Sequence, residues 1–196
     1  MLCEACPKEA QTQSEHSPCV VEGHERILYV LLDPDDINDG QIAATAFKKS
    51  DLKSCSLSVC RVEYSESSEV FDRIVNPKLE KNSERQLVGG FSVICSRIRD
   101  LAIDGRRTFC VIDDGLEDYC AHAVIGFSDV TKEKDYWQKN NREKARADLV
   151  YLFESGGIVD LSTFDFGKIH REARASNSDI KLQSPVTEGQ PGSAVD

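Results

Sequence analysis

Ile27 to Leu32 is an unbroken apolar run, ILYVLL, closed by Asp33-Pro34. It is strand-sized and shows no polar alternation, so it reads as a strand covered on both faces. Pro34 has no amide hydrogen to donate and stops the strand. Any fold open to this chain therefore needs packing layers on two sides of this one segment.

Three further runs have the same character. Ser56 to Val62 alternates branched and polar residues, Phe109 to Ile112 is closed by Asp113-Asp114-Gly115, and Cys120 to Phe127 follows across a short acidic loop, as in a hairpin. Helical spacing marks four other stretches. Ile42, Ala43, Ala46 and Phe47 predict one or two turns anchored by Phe47, after which Lys48 to Asp51 reopen a loop. Val70, Phe71, Ile74 and Val75 form a stripe that Pro77 should end. Phe91, Ile94, Ile98 and Leu101 recur at i, i+3, i+7 and i+10, the best helical pattern in the chain, with Gly105 as a left-handed cap. A polar helix is expected from about Thr131 to Ser155, with Trp137, Ala145, Leu149 and Leu152 on one side and Gly156-Gly157 at its end.

The expected architecture is a single α+β domain over residues 26–166, a mixed sheet of about four or five short strands packed by two or three helices. Residues 1–25 carry almost no branched apolar side chains and are expected to be a flexible arm containing Cys and His. Residues 167–196 are rich in Ser, Gln, Pro, Gly and charge and are expected to be disordered.

Charge narrows the function classes. A formal net charge of −10 argues against a surface built to neutralise nucleic-acid phosphates. No apolar run approaches the roughly 20 residues of a membrane-spanning helix, and the N-terminal residues lack the apolar core of a secretory signal. A cytoplasmic location follows as the expectation, with the eight cysteines as reduced thiols.

Three constellations could carry chemistry. His122 sits in an apolar strand with Asp113 and Asp114 just across the hairpin, so a carboxylate could orient the imidazole as a general base. Ser58 or Cys120 would then be the nucleophile within reach. The bland counterpart is a core-edge histidine satisfied by one backbone carbonyl. Cys3, Cys6, Cys19 and His24 have a spacing that tetrahedral zinc accepts, although the interval from Pro7 to Pro18 lacks the large apolar residues that a self-standing finger packs around its metal. The acidic turn Asp33, Asp35, Asp36 and Asp39 departs from the calcium-loop template, with Ala46 where the bidentate Glu should stand, and reads as a solvated turn capping the next helix.

Asp39-Gly40, Ala46-Phe47-Lys48, Leu57-Ser58-Val59 followed by Arg61, and His122-Ala123 together resemble the landmarks of a family of small prokaryotic proteins of unknown function. The resemblance covers Ile27 to Phe127, with Cys60 where the pattern has Asp, and it implies no activity.

With no phosphate loop, dinucleotide fingerprint or nucleophile elbow, the expected role is a non-catalytic acidic component that binds a protein partner and needs no cofactor. The alternatives are a metal-assisted or His-based hydrolase or transferase centred on His122, acting on a phosphodiester, nucleotide or acyl substrate, and a zinc-organised arm that mediates assembly.

Overall fold

A computed structural model describes residues 6–38, 41–43, 45–128 and 139–167. Strand β1, Arg26–Asp33, is buried continuously from Ile27 to Leu32. Its two faces serve different cores. Ile27, Tyr29 and Leu31 join one apolar cluster, and Leu28, Val30 and Leu32 join the other. The lack of alternation in the sequence is thus the signature of a strand in the middle of a three-layer body.

A short hairpin follows, β2 (Ile37–Asn38) and β3 (Gln41–Ile42), and then helix α1, Lys49–Ser54. Strand β4 is Leu57–Arg61, and a helical segment follows as α2 (Ser67–Val70), a π-turn at Phe71–Val75 and α3 (Asn76–Lys81). Strand β5 is Gln86–Ile94, leading into α4, Cys95–Arg99. A second small hairpin, β6 (Ala102–Ile103) with β7 (Arg106–Arg107), precedes β8 (Phe109–Asp113) and β9 (His122–Phe127). Helix α5, Lys139–Ser155, and β10, Ile158–Val159, complete the order.

The main sheet has six strands in the order β10-β5-β1-β4-β9-β8. Every pairing in it is antiparallel. The α+β class is as expected, and the four apolar runs do lie in one sheet, but the sheet is antiparallel throughout and larger than four or five strands. One face is covered by α5, through Ala145, Leu149, Leu152 and Phe153, together with Phe47 and Leu52. The other is covered by Val70, Ile74 and Val75 of the helical segment and by Leu161.

Three elements depart from expectation for identifiable reasons. The Phe91 to Leu101 stripe is a strand that turns into one short helix. Phe91 and Val93 are buried by alternation and Cys95 and Ile98 by the following turn, whereas Ile94, which the helical spacing had counted, is 38% exposed. Gly90 belongs to this strand because it lies against β1, where a Cβ would stand 2.8 Å from Leu28 Cδ1. The helix expected at Ile42 to Phe47 is displaced to Lys49–Ser54, and Ile42 pairs with Ile37 instead. Pro77 does not end its helix: it stands just after the π-turn at Phe71–Val75, and the chain continues as α3.

Residues 6–25 are not a free arm. Cys6 is joined to Cys110 of β8 by a disulfide, so the expectation of uniformly reduced thiols is corrected there. Glu9 Oε1 accepts from Arg107 Nη2 and the Val111 amide, each at 2.5 Å, and from Arg99 Nε at 3.1 Å. A carboxylate thus occupies an amide on the outer edge strand. Specific polar anchors and one covalent link order a segment too poor in apolar residues to order itself. Of the tail expected to be disordered, only Gly167 is among the described residues, its amide bonded to the Val62 carbonyl. Asp39, Gly40 and Trp137 lie outside the described residues.

Candidate functional site

Ser58 pairs with Val124 and Cys60 with His122 across the β4–β9 ladder. Side chains alternate along a strand, so Ser58 and His122 are diagonal neighbours on one face. Ser58 Oγ lies 2.9 Å from His122 Nε2. On the far side of the ring, Nδ1 is 2.8 Å from the Asp114 carbonyl oxygen and 3.3 Å from its carboxylate Oδ2. A carbonyl oxygen can only accept, so Nδ1 carries the hydrogen and the neutral ring keeps a lone pair on Nε2. In the neutral ring Ser58 then donates and His122 accepts, which is the arrangement that base-assisted nucleophilic attack requires.

The two aspartates expected near His122 have different duties, for the same alternation sends neighbours to opposite faces. Asp114 serves the imidazole. Asp113 is buried and accepts from Arg61 Nη1 at 2.8 Å, so its expected role as an orienter of His122 is corrected. Arg61 is fully buried and also holds Glu25 through two contacts of 2.7 Å and the Cys19 carbonyl at 2.7 Å. Burial pushes the Asp113 carboxyl above the usual carboxylate range, with Ser17 and Arg61 opposing. Cys120 is a free, partly exposed thiol, but the hydroxyl on the imidazole belongs to Ser58. Burial pushes the Cys60 and Cys95 thiols up to about 12, which makes them inert as nucleophiles.

Ser58 lines a cleft of about 560 Å³. Strands β1 and β4 pair only at Ile27↔Arg61 and Leu28↔Cys60. Beyond that point the cleft opens between them, with Tyr29 and Leu32 on one side and Leu57 and Ser58 on the other. Its rim carries Lys48, Lys78, Lys81 and Arg85 against Asp35, Asp36 and Asp51.

The acidic turn is partly buried in this wall and is not simply a solvated cap. Asp36 accepts from the Leu32 amide at 3.0 Å and lies 2.9 Å from the Tyr29 hydroxyl. Tyr29 also faces the Ala46 carbonyl at 3.1 Å. The phenolic hydrogen is thus shared between the Asp36 carboxylate and the Ala46 carbonyl. Burial raises the Asp36 carboxyl, partly opposed by its Leu32 and Tyr29 hydrogen bonds. Burial likewise raises the Tyr29 phenol, with the Asp36 charge adding to it, and lowers the Lys78 ammonium. Asp35 is paired with Arg85 at 2.6 Å.

Of the zinc set expected from Cys3, Cys6, Cys19 and His24, three members are described and each has another partner. Cys6 is spent in its disulfide, Cys19 Sγ meets the Tyr64 hydroxyl at 3.0 Å, and His24 lies 3.3 Å from a Glu22 carboxylate oxygen. Cys3 lies outside the described residues. Among the described residues no three His, Cys, Asp or Glu side chains are grouped to hold a metal. No described helix is long and apolar enough to cross a membrane.

Sequence reasoning missed the basic rim, Tyr29 and the Arg61–Glu25 pair. Lys78, Lys81 and Arg85 come from a polar stretch with no periodicity to flag it, whereas a charged residue at the end of the apolar run 57–61 was a usable signal for Arg61. No protein-family profile, curated protein or solved structure matches the chain.

Proposed function

We propose that the protein is a hydrolase or transferase acting on a small ester, with Ser58 as nucleophile, His122 as general base and Asp114 as the group that orients the imidazole. The single observation that carries this reading is the hydrogen-bond chain from the Asp114 carbonyl through the His122 ring to Ser58. With Nδ1–H committed to the Asp114 carbonyl, the Nε2 lone pair is aimed at the Ser58 hydroxyl at 2.9 Å, and that serine lines the cleft. In the first step the Ser58 proton passes to Nε2 as Oγ bonds to the ester carbonyl carbon. The His122 proton then goes to the leaving oxygen as its bond to that carbon breaks. Water or an acceptor alcohol, deprotonated by the same nitrogen, releases the acyl group from Ser58.

The test is turnover of p-nitrophenyl esters by the full chain. Ser58→Ala and His122→Ala should each lower kcat/KM by about 10²-fold or more, the range of positioned general bases. Equal, low rates in all three proteins would leave the reading without support.

A second reading keeps the protein a non-catalytic component that binds a partner. It is favoured by the place of Ser58 inside a paired strand, where a cross-strand serine also does no more than satisfy a half-buried imidazole. Under that reading Ser58→Ala leaves ligand or partner affinity unchanged and no ester is turned over.

A further inference from the structure

We propose that the cleft between β1 and β4 binds a phosphate group carried by the substrate, with Lys48, Lys78 and Lys81 as its cationic wall. The proposal rests on the hydrolase reading for the identity of the reacting ester, but not for the binding of the phosphate.

The lining points to an anion. Four cations and three carboxylates line the cleft, a net positive wall in a chain whose formal net charge is −10. The carboxylates are already engaged. Asp35 is paired with Arg85, both oxygens of Asp36 face the Leu32 amide and the Tyr29 hydroxyl, and Asp51 accepts from the Ser50 hydroxyl at 2.9 Å. Arg85 is fixed further by donating to the Lys78 carbonyl at 2.9 Å, which ties the loop after α3 to the rim. Three ammonium groups are thus left facing a space large enough for a small ligand, since such sites run from about 300 to 1,000 Å³. A phosphate monoester brings more negative charge than a carboxylate and more acceptor oxygens for the lysine donors.

Lys78 is the telling member. Its ammonium is disfavoured by burial, so in the free protein it carries a desolvation cost that Asp36 and Asp35 only partly offset. An anion entering beside it favours the charged form, and this makes the residue a sensitive reporter. Ser56 and Thr45 on the same walls supply neutral hydroxyl donors of the kind that phosphate oxygens take. A small phosphorylated ester can therefore place its phosphate on the lysines and its ester on Ser58 within one cleft.

The experiment titrates inorganic phosphate, and separately acetate, into the ¹⁵N-labelled full chain at constant ionic strength, following backbone amides of residues 56–58 and 78–85. Saturable shifts at least tenfold tighter for phosphate than for acetate are expected in the wild type and equally in Ser58→Ala. Lys78→Met should weaken phosphate at least tenfold. If that variant does not fold, the exposed pair Lys48→Ala with Lys81→Ala provides the same comparison. Equal response to acetate, or phosphate binding indifferent to these substitutions, would overturn the proposal. Phosphate binding without ester turnover keeps the site and removes the hydrolase reading, and turnover without phosphate binding does the reverse.

Discussion

Ser58 Oγ and His122 Nε2, 64 residues apart in the chain, meet at 2.9 Å across the β4–β9 ladder. The pair is set by register, because a slip of one residue would turn one of them to the opposite face. Its chemical sense is set from behind, by the Asp114 carbonyl on Nδ1. The long-range ¹H–¹⁵N spectrum of the imidazole at neutral pH is therefore expected to show the Nδ1–H tautomer. Ser58→Ala should leave that tautomer in place, since the carbonyl and not the hydroxyl selects it. An Nε2–H ring would make Ser58 an acceptor and void its activation.

Arg61 gathers two buried carboxylates, Glu25 and Asp113, and so joins the N-terminal segment to the sheet. Arg61→Leu leaves both acids buried without their cation and should cost about 3–5 kcal/mol, as removal of one partner of a buried pair does. Asp113→Asn keeps an acceptor for Nη1 and removes a charge that burial disfavours, so its cost should be about 1 kcal/mol or less. Urea unfolding of the two variants should give them in that order. Equal midpoints would mean that the cluster is not a keystone.

The folded-state pKa of Asp36 is raised above its unfolded value, chiefly by burial. The folded protein then holds the proton more tightly than the unfolded chain. The group's stabilising contribution is fully present below the unfolded pKa and is lost as pH rises through the folded one. Asp36→Asn removes this titration, and its amide can accept from Leu32 while donating to Tyr29, which frees the phenol for Ala46. Thermal midpoints from pH 3 to pH 7 should fall less with rising pH for the variant than for the wild type. A steeper fall in the variant would contradict the assignment.

The disulfide between Cys6 and Cys110 closes a loop of 104 residues. Loop-closure entropy for about 100 residues corresponds to roughly 4.7 kcal/mol, an upper figure for such links. Cys110→Ser should lower the urea midpoint and raise hydrogen exchange in residues 6–25 before any change at β1 or β4. The Glu9 contacts with Arg99, Arg107 and Val111 should slow that release, so Glu9→Gln together with Cys110→Ser is expected to loosen the segment further. Exchange that rises first at β1 would contradict this order of release.

Much of this fold was legible because apolar runs and alternation are local signals. Ile27 to Leu32, Leu57 to Cys60, Phe109 to Ile112 and Ala123 to Phe127 all became strands, and the Gly156-Gly157 pair ends α5. The Phe91 segment failed because residues 91, 98 and 101 fit a helical period while 91, 93 and 95 fit a strand, and only the neighbours β1 and β10 decide between them. Ser58, His122 and an acidic partner were within reach of sequence reasoning. Which aspartate serves depends on the face each occupies, and so on where β8 ends. Glu9 and Glu25 were illegible, for a carboxylate in a polar stretch looks solvated until its arginine is placed beside it.

Reactivity at Ser58 is the claim on which the functional account stands. The most direct measurement is incubation of the full chain with a fluorophosphonate probe, followed by mass mapping of the labelled peptide. The account predicts a single adduct on Ser58, with its Oγ bonded to phosphorus and fluoride released, and no adduct there in His122→Ala with its fold intact by circular dichroism. An unlabelled Ser58 in the wild type, or labelling that is indifferent to loss of the imidazole, would contradict it.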